Sequence, residues 1–291
     1  MLETKDILKR VHRIELKTKG MVNDFFSGEY HSVFKGRGMT FSEVREYSPG
    51  DDVRNIDWNV SARFGHPFVK VFEEERELTV MLLVDMSGSQ EFGTRTQTKQ
   101  ELAAELSAIF AFSALKNNDK TGLILFTDKV EKFIPPKKSR SHPLRIIREV
   151  INSAPVGKKT DIKVALEYLN NMISKRAIIF LISDFQDKGY DKILKTVAKK
   201  HDLIAVVLED EREIVLPKIG LISVKDPETG ETGLINTSSP KFTRYMHSKW
   251  AEERNYRENL FRSAKADRIE IKTGESYIKP LISFFKLRGR R

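Results

Sequence analysis

Leu78-Thr-Val-Met-Leu-Leu-Val84 is a nearly unbroken apolar run, and Asp85-Met-Ser-Gly-Ser89 follows it directly. An apolar run without polar alternation suits a strand buried on both faces, the condition of strands in a parallel sheet covered by helices. Asp85 therefore stands at the C-terminal end of a central strand. Alternate residues of an extended stretch point the same way, so Asp85, Ser87 and Ser89 present one carboxylate and two hydroxyls together. Gly88 permits the bend between them.

Downstream, Leu102, Leu106, Ile109, Phe110 and Ser113 recur at helical spacing, which predicts an amphipathic helix over Thr98 to Lys116, ended by Asn117-Asn118-Asp119. Thr121 to Thr127 reads as a strand. Thr127-Asp128-Lys129 turns it into a second run, Val130 to Ile134, which Pro135-Pro136 is expected to terminate, giving a hairpin at a sheet edge. His142-Pro143 opens a helix with proline at its first position, and Thr160-Asp161 opens another with Val164, Leu169, Met172 and Ile173 facing inward. Ala177 to Ile182 is the next strand, with Asp184 just beyond its end. Gly189 to Lys200 reads as a short helix and Leu203 to Leu208 as a further strand.

Strands alternating with helices define an α/β class, here a doubly wound, mostly parallel, Rossmann-like sheet. After Glu209 the chain turns polar: Asp226-Pro-Glu-Thr-Gly230 has the composition of a hairpin turn, and Ser239 to Ala264 is a long charged helical pattern. Arg268 to Ile271 and Tyr277 to Leu287 resume as a last strand and helix. The expected organisation is a discontinuous core domain over 77–208 plus 267–288, with an insertion of hairpin and long helix at 209–266. Residues 1–76 form a separate β-containing cap, because Gly36, Gly38, Ser48-Pro49-Gly50 and Gly65-His66-Pro67 punctuate short mixed runs. Within that cap Asp51, Asp52, Asp57 and Trp58 are given a structural role, with Asp57 capping a turn or pairing with Arg45, Arg54 or Arg63. His31 and His66 have no metal-ligand spacing and read as surface or packing residues.

The 291 residues contain no cysteine, so disulfides and thiolate metal sites are excluded and any metal must be held by oxygen or histidine. The net charge is +10, and residues 241–291 hold 14 Lys/Arg against 6 Asp/Glu. The basic end Lys286-Leu-Arg-Gly-Arg-Arg291 lacks aromatic interleaving, so it reads as a solvated tail and nucleic acid is not an expected partner; peripheral contact with an anionic membrane surface is the alternative. Met1 to Gly20 has no apolar stretch of the kind a signal peptide needs, and no run reaches the roughly 20 apolar residues of a membrane span. A cytoplasmic location is the expectation.

In an open α/β sheet ligands bind beyond the C-terminal strand ends, where strand order switches direction, so Asp85 and Asp184 are expected to face one another there. Thr160, opening a helix, has a hydroxyl that either caps that helix or reaches a metal. The set Asp85, Ser87, Ser89, Thr160 and Asp184 offers only oxygen, which favours Mg²⁺, with Mn²⁺ or Ca²⁺ as alternatives, and argues against zinc. An aspartate after a buried strand also suits Mg²⁺-dependent hydrolysis of phosphate esters with Asp85 as nucleophile. Such enzymes place a second carboxylate two residues on, where this chain has Ser87. No P-loop and no Ser-His-Asp arrangement is present.

Asp85-Met-Ser-Gly-Ser89 with the later Thr160 and Ser183-Asp184 resembles the metal-ion-dependent adhesion site of von Willebrand factor A-like domains. That resemblance implies direct ligation by Ser87 and Ser89, direct or water-mediated ligation by Thr160, mostly water-mediated roles for Asp85 and Asp184, and completion of the octahedron by a partner's acidic residue. Gln90 stands where many relatives carry methionine, a change expected to affect packing more than ligation. Upstream, Gly36-Arg-Gly38, Phe41-Ser-Glu-Val-Arg-Glu-Tyr47, Pro49-Gly-Asp-Asp52, Arg54-Asn-Ile-Asp-Trp58 and Ser61-Ala-Arg63 resemble the bacterial family called domain of unknown function 58. The resemblance implies a non-enzymatic adaptor or co-chaperone working with a MoxR-type AAA+ ATPase on client proteins.

Overall fold

The computed structural model of the chain describes residues 11–18, 22, 40–73, 77–93, 97–226 and 228–289. Gly36, Gly38, His31, Pro227, Arg290 and Arg291, all singled out above, lie outside them. Six strands form the central sheet: β3 (Thr79–Asp85), β4 (Lys120–Phe126), β5 (Val130–Lys137), β6 (Ile178–Ser183), β7 (Asp202–Glu209) and β10 (Asp267–Lys272), in the order β10-β7-β6-β3-β4-β5. Every neighbouring pair is parallel except β4 with β5. From β3 the chain proceeds to one side through β4 and β5, then returns to build β6, β7 and β10 on the other. The switch point therefore lies between β3 and β6, with Asp85 at the end of one and Ser183 at the end of the other.

Alternation along β3 divides the core. Val80, Leu82 and Val84 join one cluster while Met81 and Leu83 join the opposite one, and all five are fully buried. The first cluster is covered by α3 (Lys99–Lys116), α4 (His142–Ile151) and α9 (Ile278–Gly289), with Val11 and Ile14 of the helical stretch α1 (11–18) at its margin. Helix α3 starts where the sequence predicts because Thr98 and Glu101 form a reciprocal capping box. Its Phe110 stacks on Phe180 of β6 at 3.8 Å between ring centroids. With Leu102, Leu106 and Ile109 wholly buried, truncating any one to alanine should cost about 2–5 kcal/mol.

The second face is covered by α5 (Ile162–Met172), α6 (Asp191–Lys200) and the last turns of α8 (Pro240–Ala264). Leu260, Phe261 and Ala264 of α8 are buried there, so this end of the long helix packs on the sheet between β7 and β10. Between β7 and α8 come a short α7 (Glu211–Ile214) and the hairpin β8 (Leu221–Lys225) with β9 (Thr232–Asn236). Before the central sheet, β1 (Thr40–Glu46) pairs antiparallel with β2 (Phe68–Glu73), and α2 (Trp58–Phe64) lies between them in sequence. Among the described residues no helix is long and apolar enough to cross a membrane.

Several local expectations are corrected. Pro135 and Pro136 do not end β5, which runs on to Lys137; β5 is an edge strand, where a missing N–H on the outer side costs nothing, and the register shifts between Thr121 and Leu123 opposite them. Asp161 rather than Thr160 caps α5, accepting from Val164 N at 3.1 Å. Asp57 caps α2 through Asn59 and Val60 N, and its ion partner is Lys70 at 3.4 Å rather than Arg45, Arg54 or Arg63. Arg45 pairs with Asp51 and Arg54 with Asp52, while Trp58 is 70% exposed and packs into no core. Arg288 is not part of a free basic tail: it pairs with Asp202 and Asp267, beside the buried Phe285.

Candidate metal centre

The loop after β3 is built around Asp85. Met86 N donates to Phe126 O at 2.8 Å, which ties the loop to β4, and Ser87 N donates to Asp85 Oδ1 at 2.9 Å. Asp85 Oδ2 accepts from the Ser183 hydroxyl at 2.6 Å, so the ends of β3 and β6 are locked together across the switch point. Ser87 and Ser89 hydroxyl oxygens are 3.1 Å apart. Asp85, Ser87 and Asp184 are each 1% exposed and Ser89 8%.

The loop carrying Thr160 is held against this one: Gly88 N donates to Lys158 O at 2.8 Å, and Asp161 N to Thr127 O at 3.0 Å. Capping by Asp161 leaves the Thr160 hydroxyl to donate elsewhere, and it does so to Glu228 Oε1 at 3.0 Å. Asp184 accepts from Gln186 N on one oxygen and from Lys99 Nζ, at 2.7 Å, on the other. Phe185, next in the chain, has a left-handed φ of 57° and a ring buried edge-on against Phe261 at 5.1 Å. Packing of this ring offsets the cost of a non-glycine residue in that conformation and fixes where β6 releases Asp184.

A carboxyl buried beside another carboxylate is harder to ionise. Burial, and then the charge of Asp184, push the Asp85 carboxyl up to about 7, against the pull of its bonds from Ser183 and Ser87. Burial likewise raises the Glu213 and Glu228 carboxyls, Lys99 opposing in the first case and Thr160 in the second.

Asp85 ends β3, Ser87 and Ser89 follow it, Asp184 follows the end of β6, and Thr160 lies on a loop tied to the first by the bond from Gly88 N to Lys158 O. Asp85, Ser87 and Ser89 are joined by direct hydrogen bonds, whereas the Thr160 hydroxyl bonds to Glu228 and its loop meets theirs through Lys158 O and Gly88 N. Among the described residues no three or more His, Asp or Glu side chains gather in a way that could hold a metal. Hydroxyls would therefore have to supply the direct ligands. Adjacent ligands of Mg²⁺ at about 2.1 Å lie about 3.0 Å apart, and the Ser87 and Ser89 oxygens fit that spacing. Asp85 and Asp184 have oxygens already engaged, which suits support from behind the ligands better than direct coordination.

The sequence reading missed four participants. Lys99, wholly buried, bridges Asp184 to Glu213 of α7. Arg257 of α8 donates to Asp184 O at 2.8 Å and to Glu209 at 2.9 Å, and Glu228 reaches Thr160. Gln90 is polar in its effect, not merely a packing change: its Nε2 lies 3.4 Å from both Asp85 Oδ2 and Ser89 Oγ, and its buried Oε1 has no partner. For Lys99 a signal existed. It precedes Leu102 and Leu106 by three and seven residues, which puts a lysine on the apolar face of α3.

Sheet order, antiparallel edge strand and flanking helices define a doubly wound, mostly parallel α/β domain. Residues 43–256 match the family described as "Protein of unknown function DUF58", and the chain belongs to that family. It is similar to the uncharacterised protein Rv1480 of Mycobacterium tuberculosis, 27% identical over 280 residues that cover 95% of this chain and 88% of the relative. Among solved structures, BatB from Bacteroides thetaiotaomicron aligns at 15% identity and a TM-score of 0.48, covering 74% of this chain and 100% of that one. The SpRpn10 VWA domain aligns at 12% identity and a TM-score of 0.37, covering 71% and 94%.

Proposed function

We propose that the chain is a metal-dependent protein-binding module. Ser87, Ser89 and Thr160 hold a divalent cation, Mg²⁺ first and Mn²⁺ or Ca²⁺ as alternatives, while Asp85 and Asp184 support it. The observation that carries this reading is the pair of serine hydroxyl oxygens 3.1 Å apart, set on a loop that Asp85 and Ser183 brace from behind. A cation held largely by neutral hydroxyls remains electrophilic and so attracts a carboxylate from a partner. The chain's own residues do the positioning. Asp85 fixes the Ser87 amide, Gly88 N ties the loop to Lys158 O, and Lys99 neutralises Asp184.

The partner in this reading is a MoxR-type AAA+ ATPase, or a client protein it acts on, met in the cytoplasm, and the chain serves as a non-enzymatic adaptor. Hydrolysis with Asp85 as nucleophile has less support. Both carboxylate oxygens of Asp85 already accept short hydrogen bonds, from Ser87 N and from Ser183 Oγ, and the residue is 1% exposed. An attacking carboxylate needs one oxygen free and aimed at the substrate.

The test is capture from native lysate with wild type and Asp85→Ala, each in Mg²⁺ and in EDTA, read by mass spectrometry. An AAA+ ATPase or client retained only by wild type in Mg²⁺ is the expected result. Identical catches in all four conditions would contradict metal-gated binding.

A further inference from the structure

We infer that Glu228, at the tip of the β8–β9 hairpin, is the site's resident acidic ligand, standing where a partner's carboxylate must bind. This rests on the metal-dependent reading just given. Glu228 Oε1 accepts from the Thr160 hydroxyl at 3.0 Å, although the two residues are 68 apart in sequence. The tip is shaped to bring it there. Asp226 Oδ1 accepts from both Glu228 N and Thr229 N, at 2.8 and 2.9 Å, and Gly230 closes the turn with a φ of 76°. Glu228 is half-buried while Thr229, Gly230 and Glu231 beside it are exposed, so of these four it is the one directed inward.

Charge points the same way. The Glu228 carboxylate is held by the Thr160 hydroxyl, and among the described residues no lysine or arginine forms an ion pair with it. Asp184, by contrast, has Lys99. A carboxylate brought to the Thr160 hydroxyl without a cation of its own is an arrangement that a divalent ion held by the hydroxyls relieves. Independently, the buried Oε1 of Gln90 lacks a partner, on an amide that touches Asp85 and Ser89. A buried acceptor left unpaired on a side chain that touches two of the site residues calls for a partner.

The hairpin does not arrive alone. Arg257 holds the Asp184 carbonyl from α8, and Glu213 holds Lys99 from α7, so the segment between β7 and β10 is bonded to the end of β6, to α3 and to the Thr160 loop at three separate points. A tethered carboxylate acts at an effective concentration far above that of a free one, on the order of millimolar for a short tether. An outside carboxylate must therefore displace Glu228, and the hairpin sets the threshold a partner has to exceed.

The full chain, stripped with EDTA, is titrated with Mg²⁺ by calorimetry, and amide exchange of residues 221–236 is followed with and without Mg²⁺. Wild type, Glu228→Gln and Ser87→Ala are compared. Glutamine keeps an oxygen for Thr160, and an unchanged unfolding midpoint confirms that the hairpin is intact. The expected result is slower exchange at the tip in Mg²⁺ for wild type but not for Glu228→Gln, together with roughly tenfold weaker Mg²⁺ binding in that variant. Binding that is lost in Ser87→Ala yet unchanged in Glu228→Gln, with no effect of Mg²⁺ on the tip, would overturn this inference alone. No binding by wild type, or binding that survives Ser87→Ala, would overturn the metal reading and the inference with it.

Discussion

Lys99 Nζ lies 2.7 Å from Asp184 Oδ2 and 2.6 Å from Glu213 Oε1, with none of the lysine side chain exposed. A cation supplied by the chain itself thus stands beside the candidate metal centre. Burial opposes its charge, but Asp184 and Glu213 outweigh that and hold its pKa above the ordinary lysine value. The pairing reduces the negative charge around the hydroxyls and joins β6 to α7.

Removing that cation should be costly. Lys99→Met keeps much of the volume but leaves Asp184 and Glu213 facing each other in a buried site, and breaking a buried pair from one side costs about 3–5 kcal/mol. Urea unfolding should show a loss of about 3 kcal/mol or more. A loss below about 1 kcal/mol would mean that the crevice is wetter than its burial implies.

Gly157 tests the loop that carries Thr160. A Cβ at this position would lie 2.0 Å from Asp128 Oδ1 and 2.2 Å from Thr127 Oγ1. The loop cannot simply retreat, since Gly157 N and Thr127 Oγ1 both bind Glu131 at 2.8 Å. Gly157→Ala should destabilise by about 1–3 kcal/mol and, by shifting Lys158 away from Gly88, reduce the stabilisation that Mg²⁺ confers on thermal unfolding. An unchanged Mg²⁺ response would show that the position of this loop does not matter to the site.

His201 gives the fold a pH dependence of its own. Its ring is 2% exposed and accepts from Ala177 N at 3.2 Å; burial, aided by Lys200 and Arg176, lowers its pKa to about 4. The unfolded chain takes up a proton near pH 6.5 that the folded chain refuses until about pH 4. Stability from this group is therefore complete above pH 6.5 and is lost as pH falls toward 4, by on the order of 2 kcal/mol. His201→Asn, which keeps an acceptor for Ala177 N, should flatten unfolding free energy across that window. Parallel curves for the two proteins would contradict this.

The central strand and the site's first three residues were legible because their signals are local. An unbroken apolar run, the abrupt Asp85, and alternate serines separated by one glycine depend on no distant contact. Helix α3 was equally plain, since Thr98 and Glu101 state their capping in sequence. Pro135 and Pro136 misled because their effect depends on β5 being an edge strand, which is a property of the whole sheet. Thr160 and Asp161 are both good caps, and only the backbone geometry chooses between them. Lys99, Glu213, Glu228 and Arg257 reach the site across 68 to 114 residues of sequence, and no local pattern announces such pairings. Of these only Lys99, a charge on an apolar helix face, left a trace that a stricter reading would have caught.

The most direct test of the account is calorimetric titration of Mg²⁺ into the EDTA-stripped chain, beside a variant carrying both Ser87→Ala and Ser89→Ala. The substitutions remove two hydroxyls and leave Asp85 bonded to Ser183, so the fold should persist. Saturable one-to-one binding by wild type, weakened at least a hundredfold in the variant, is the predicted result. Equal binding by both proteins, or none by either, would contradict the claim that these two serines hold a metal.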